Sequence, residues 1–215
     1  MHLPFLTPEN ALIFRCTHIR NVPWILANGL HCGNSAVRDP GFVEIGLRDL
    51  IERRAQQEVR IAPGGVLSDY IPFYFTPRSV MLLKSVSGHG VPRVPKHDIV
   101  ILVTSLRELA KRGLESLLTD RHASLGAARI TSNLEEGLTR IDWRNLQASD
   151  FRHGDDDPER HERYQAEALV HRHIPLEALQ RIVCYRPQEK AQLKDEIGRR
   201  GLELSVEAHP DWLFQ

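Results

Sequence analysis

The chain has 215 residues, 41% hydrophobic and 26% charged, enough to bury the core of a single domain, here residues 1–215. Its formal net charge is zero, but residues 1–112 hold 14 basic and 9 acidic side chains while residues 113–215 hold 14 and 19, so the halves carry +5 and −5. The longest apolar runs fall short of the roughly 20 residues of a membrane span, and the opening residues lack a secretion signal, so a cytoplasmic protein without a membrane partner is expected.

Residues 12–17 read as a strand ending in Thr17-His18. Asn21 stands where it can cap a short helix with Pro23 in its first turn and Gly29 at its end. Residues 31–42, rich in Gly, Asn and Pro, read as a loop. Residues 47–57 have helical spacing, with Leu47, Leu50, Ile51 and Arg54 on one face. Ala62-Pro63-Gly64-Gly65 is a turn leading into the aromatic strand 70–75. Residues 98–104 are a continuous apolar run and predict a buried strand. Ser105 and Glu108 then form the capping box of a helix running to Arg112.

Further along, residues 127–131 predict a strand and 133–138 a helix. Residues 151–163, with Asp155-Asp156-Asp157-Pro158, predict a charged loop with a helical turn after the proline. Strands are expected at 166–171, 181–185 and 202–206, and a helix begins at Pro187 and ends before Gly201. Short strands and a few helices without regular βαβ alternation imply an α+β fold with a mainly antiparallel or mixed sheet. With neither Gly-x-Gly-x-x-Gly nor Gly-Lys-Ser/Thr present, a Rossmann turn and a P-loop are both excluded.

Three scattered cysteines, Cys16, Cys32 and Cys184, make neither a disulfide framework nor a zinc motif. Cys16 could be a nucleophile, although a small core residue is the better assignment. His161, His171 and His173 have no helical metal-ligand spacing, so no metal is expected. Of the 28 cationic residues, 23 are arginine, whose planar fork suits phosphate, although a solvated surface explains them equally well.

Glu167 is the one strongly charged residue in its apolar strand, and a carboxylate there must be paired, neutralised or used. It could stabilise positive charge on a sugar or accept a proton, or simply pair with an arginine. Tyr74 alternates with Phe73 and Phe75 and so faces the other way, where its ring could stack on a ligand. Arg53 and Arg54 are adjacent on a helix and point in different directions; one could grip a pyrophosphate. His18 and His122 could reach a ligand or serve as packing residues.

In this order, Thr17-His18, Ile51-Glu52-Arg53-Arg54, Asp69-Tyr70-Ile71-Pro72-Phe73-Tyr74-Phe75-Thr76-Pro77-Arg78-Ser79, Thr119-Asp120-Arg121-His122-Ala123 and Gln165-Ala166-Glu167-Ala168-Leu169-Val170 resemble the DarT family of bacterial toxins, which ADP-ribosylate DNA bases. Thr17-His18, Tyr74-Phe75 and Glu167 also resemble the His-Tyr-Glu arrangement of poly-ADP-ribose-polymerase-like transferases. The resemblance implies an ADP-ribosyltransferase-like fold, NAD⁺ as co-substrate, and single-stranded DNA as acceptor, with thymidine the favoured base. Guanine, RNA, protein side chains, or a silent nucleic-acid-binding module are the alternatives.

It further implies Glu167 and Arg54 (or Arg53) as catalytic residues, and Thr17, His18, Asn21 and Tyr74 as residues holding NAD⁺. His122 and Arg78 would meet the DNA, and a macrodomain antitoxin of the DarG kind is the expected partner. Arg121 departs from the pattern, standing where the family is expected to have a small residue. Acidic residues 155–157 fit DNA binding poorly and are expected to face away from it.

Overall fold

A computed structural model describes residues 1–152 and 154–214. In chain order, the first half contains β1 (Leu12–His18), α1 (Val22–Asn28), β2 (Leu30–His31), α2 (Arg48–Arg54), β3 (Tyr70–Tyr74), α3 (Val80–Ser87), β4 (Ile99–Ser105) and α4 (Leu106–Lys111). The second half adds β5 (Ser116–Thr119), β6 (Ile130–Thr131), α5 (Leu134–Arg140), α6 (Trp143–Ala148) and α7 (Arg160–Arg163). It closes with β7 (Glu167–His171), β8 (His173–Ile174), β9 (Arg181–Cys184), α8 (Pro187–Arg199) and β10 (Ser205–Ala208).

Eight strands form one sheet in the order β10-β9-β4-β1-β3-β7-β5-β6, and β2 pairs separately with β8. The β9–β10 pair is parallel and the other adjacencies are antiparallel, so the sheet is mixed and the class is α+β. Every residue of β4 is buried, which is why it reads as an unbroken apolar run at the centre of the sheet. The Ser105 hydroxyl then accepts the Glu108 N–H at 3.1 Å and starts α4, as its cap sequence predicts.

The sheet is nearly divided in two. β1 pairs with β4 along its whole length, from Leu12↔Ser105 to His18↔Ile99, but meets β3 at a single position, Phe14↔Tyr74. Pro72 explains the break. In an antiparallel strand the N–H and C=O of one residue point the same way, and the Pro72 carbonyl faces β1, where it accepts from Arg15 Nη1 at 2.9 Å. The same residue should donate an N–H to β1 and has none. β1 and β3 therefore splay apart beyond Phe14, and the gap between them is the mouth of a cleft.

Several elements depart from expectation. α3 falls in a stretch for which the sequence predicts no element; Ser79, whose hydroxyl accepts the Leu82 N–H, starts it, and left-handed Gly88 ends it. β5 and α6 are four and six residues long, too short for periodicity to show. The strand expected at 127–131 contracts to Ile130–Thr131, and the last strand moves to Ser205–Ala208. Asn21 precedes α1, but its side chain makes no cap bond, because its amide is committed elsewhere.

Candidate active site

Two chambers meet along the splayed edge. One, of about 670 Å³, is lined by Arg15, Thr17, Pro72, Tyr74, Arg54 and Glu167 among others. The second, of about 940 Å³, is lined by Trp24, His31, Cys32, Val37 and Arg38. Both share Arg15, Thr17, Phe42, Glu44 and Ile51, so they form one elongated cleft. Val37, Phe42 and Ile51, three of the four large apolar side chains left exposed, stand on its rim.

Glu167 sits at the floor, 1% exposed. Strand register places it directly opposite Tyr74, and cross-strand partners share a sheet face. Its backbone N–H donates to Thr119 Oγ1 at 3.0 Å, and that hydroxyl donates to the Arg121 carbonyl at 2.6 Å, fixing the strand end against the loop after β5. Arg54 Nη1 reaches both carboxylate oxygens, at 3.1 and 3.3 Å. The other terminal nitrogen of Arg54 is buried with no partner. A buried donor without an acceptor is costly unless a ligand completes it.

His122 Nε2 lies 3.7 Å from Glu167 Oε1. Its Nδ1 accepts the Ser124 N–H at 3.1 Å, which fixes the tautomer with the proton on Nε2, toward Glu167. Burial lowers the imidazole pKa; Glu167 opposes this, and Arg54, Arg53 and Lys84 add to it. The ring is accordingly a neutral donor near pH 7. The Tyr74 phenol is pushed well up by burial and then by the Glu167 charge, so it remains protonated.

The tertiary structure thus brings together Glu167, Arg54, His122, Tyr74 and Thr17. Arg53 is exposed on the other side of α2, its Nε donating to the Asp49 carbonyl. His18 lines neither chamber; its Nδ1 accepts the Arg20 N–H at 3.1 Å. Asn21 is fully buried beneath the cleft. Its amide clamps residue 43, accepting the Val43 N–H at 2.8 Å and donating to the Val43 carbonyl at 3.0 Å and to Thr17 Oγ1 at 2.9 Å. Arg78 lies away from both chambers, its guanidinium 4.1 Å from the Phe214 ring and one nitrogen donating to the Asp211 carbonyl.

Arg15 joins the site without having stood out in the sequence. It lines both chambers where they join, and burial lowers its pKa against the opposing pull of Glu44. The signal that singles out Glu167, a lone charge inside an apolar strand, also marks Arg15. Cys16 lines the cleft, but burial raises its thiol to about 11, which makes it a packing residue rather than a nucleophile. Arg121 turns away, donating to Glu162 at 2.9 Å and Glu159 at 3.5 Å on the far side of its loop. Among the described residues no group of three His, Cys, Asp or Glu could hold a metal ion, and no helix is long and apolar enough to cross a membrane.

Comparison with known proteins gives this geometry its class, that of ADP-ribosyltransferases acting on DNA. The family described as "ssDNA thymidine ADP-ribosyltransferase, DarT" matches residues 14–214. A DNA ADP-ribosyl transferase of Escherichia coli is 45% identical over 210 residues, covering 97% of this chain and 96% of the relative. The solved structure of Thermus sp. 2.9 DarT in complex with ADP-ribosylated ssDNA superposes with a TM-score of 0.88 at 33% identity, covering 99% of each chain. The same Thermus protein in complex with NAD⁺ gives 0.80 at 33% identity, covering 96% of this chain and 98% of that one. The chain belongs to the DarT family of DNA ADP-ribosyltransferases.

Proposed function

We propose that the chain works as a single cytoplasmic transferase domain that moves ADP-ribose from NAD⁺ to thymidine in single-stranded DNA, as a toxin restrained by a macrodomain antitoxin. The observation that carries the reading is the half-satisfied guanidinium of Arg54. One of its nitrogens holds the Glu167 carboxylate, while another has no partner beside a cleft made of two joined chambers. The Thermus relative's complexes with NAD⁺ and with ADP-ribosylated ssDNA support the same substrates here.

NAD⁺ supplies ADP-ribose through a glycosidic bond to a cationic nicotinamide ring, which leaves as the neutral base. Tyr74 offers its ring as one wall of the nicotinamide chamber, opposite Glu167. Arg15, at the junction of the chambers, is placed to meet the pyrophosphate, a role that suits a guanidinium whose burial already disfavours its charge in the absence of an anion. Thr17 presents its hydroxyl on the same strand face, held by Asn21. Glu167 stabilises the positive charge that develops on the sugar carbon, as carboxylates do in glycoside cleavage.

The accepting imide nitrogen of thymine must lose its proton as the new bond forms. Glu167 is the acceptor of that proton, with Arg54 Nη1 fixing its orientation and His122 Nε2–H facing Oε1 at 3.7 Å. Such a nitrogen is occupied in duplex DNA, so an unpaired base avoids a cost of a few kcal/mol. Incubating the chain with NAD⁺ and single-stranded oligonucleotides that each carry one thymidine, guanosine, cytidine or adenosine tests this. Mass addition of ADP-ribose on thymidine is expected; an adduct confined to guanosine or to protein would overturn it.

A further inference from the structure

One groove stands outside the dinucleotide cleft. It is an open depression of about 860 Å³ between α3 and the 151–161 segment, lined by Leu83, Lys84, Ser87, His89, Phe151 and His161 among others. We propose that this groove carries the acceptor strand away from the catalytic cleft, with Lys84 neutralising a phosphate close to the accepting base and Phe151 offering a ring to a flanking base. The inference rests on the transferase reading and adds the path of the strand to it.

Three observations carry it. First, α3 links the two sites. Met81 lines the catalytic chamber and Lys84 lines the groove, three residues and about 4.5 Å along the same helical face. Second, the charge is right. No carboxylate lines the groove, and Lys84 has no ion-pair partner among the described residues. Two of the three acidic residues at 155–157 are taken up by arginines, Asp156 by Arg160 and Asp157 by Arg163, and Asp157 faces a separate depression with Asp142 and Asp150.

Third, Phe151 is held as a platform. Its ring is backed by Tyr164 at 5.1 Å and Phe214 at 6.1 Å, leaving it half-buried at the groove wall. A cation beside a rigid aromatic is the usual composition of a path for single strands, in which phosphates are neutralised and bases stack without sequence readout.

The test uses the full chain with Lys84→Glu, Lys84→Arg and Phe151→Ala, and two acceptors of about four and about twelve nucleotides, both containing thymidine. Lys84→Glu is expected to raise the KM of both acceptors about tenfold, because each carries the phosphate beside the accepting base, while leaving the KM for NAD⁺ within about twofold. The slope of log KM against log salt should fall by about 0.7 for each phosphate that is no longer neutralised. Lys84→Arg should restore both, and Phe151→Ala should weaken the long acceptor without changing the salt slope. No rise in KM for either acceptor with Lys84→Glu, a KM for NAD⁺ that rises in step with it, or equal losses on both acceptors with Phe151→Ala would overturn the groove. Absence of transfer by the unsubstituted chain to either acceptor would overturn the transferase reading and the groove with it.

Discussion

Glu167 and Arg54 make a buried ion pair in which only one partner is fully satisfied, and the cost of disturbing it decides which substitutions are informative. Removing one member of a buried pair typically costs about 3–5 kcal/mol, because the other is left charged in a dry site. Glu167→Ala therefore confounds folding with chemistry, whereas Glu167→Gln keeps a hydrogen-bond acceptor for Arg54. With Gln, kcat for transfer should fall about 10²–10³-fold, equivalent to about 2.7–4 kcal/mol of lost charge stabilisation, while calorimetry should find NAD⁺ affinity within about threefold. If affinity collapses in step with kcat, Glu167 serves binding and not the chemical step. His122 supplies a second residue-scale prediction. Its pKa is lowered, chiefly by burial, so the neutral form persists below the ordinary value of about 6.5. The acid limb of kcat/KM should lie below that value; a limb at or above it would remove neutral His122 from the mechanism.

Asn21 works at the scale of an element. It looks like a helix cap in the sequence, yet its amide fastens residue 43, and with it Phe42 and Glu44, to the end of β1. The segment it holds forms the rim shared by both chambers. Asn21→Ala leaves the Val43 N–H and carbonyl without partners, at about 1–3 kcal/mol for each buried group that water cannot reach. The expected result is a rise of about tenfold or more in KM for NAD⁺ with a smaller change in kcat. Hydrogen exchange should show the Val43 amide losing protection before β1 does. An unchanged exchange rate at Val43 would show that the rim is held by other means. A similar logic applies to Pro72, whose missing N–H keeps β1 and β3 apart: the cleft depends on a hydrogen bond that cannot form.

The whole molecule carries its acidic and basic groups as networks rather than as free patches. Asp150, Asp156, Asp157, Arg160 and Arg163 interlock around the segment before β7. Arg152 hydrogen bonds pull the Asp150 carboxyl from 3.8 down to about 2, and Arg163 hydrogen bonds lower Asp157 in the same way. Because the unfolded chain protonates these groups first, their stabilisation is full above pH 3.8 and is lost as pH falls toward about 2. His18, His31 and His122 are also lowered, in each case mainly by burial. Here too the unfolded state binds protons first, so stability is lost as pH falls below about 6.5, the ordinary histidine value. The melting temperature should fall in two steps on acidification, one starting near the histidine range and one in the carboxylate range. A melting temperature that rises between about pH 6.5 and about pH 5 would contradict the histidine assignment.

Much of the site is legible in the chain itself. A lone carboxylate in an apolar strand marks Glu167, period-two alternation turns Tyr74 away from Phe73 and Phe75, and helical spacing puts Arg54 with Leu47, Leu50 and Ile51. These signals are local, set by backbone geometry within a few residues. The same local reading also gives the mixed α+β class and the buried β4. What the chain alone could not decide was which polar groups meet. Asn21 is taken from its helix by a backbone 22 residues away, and Arg54 is chosen over Arg53 by a carboxylate 113 residues away. Arg78 is drawn to the C-terminal segment rather than to the cleft. Hydrogen bonds and ion pairs of that kind depend on distances of a few ångströms between remote segments, and only the packed tertiary structure fixes those distances. Local pattern thus settled which residues could act, and the splayed sheet settled which of them stand together.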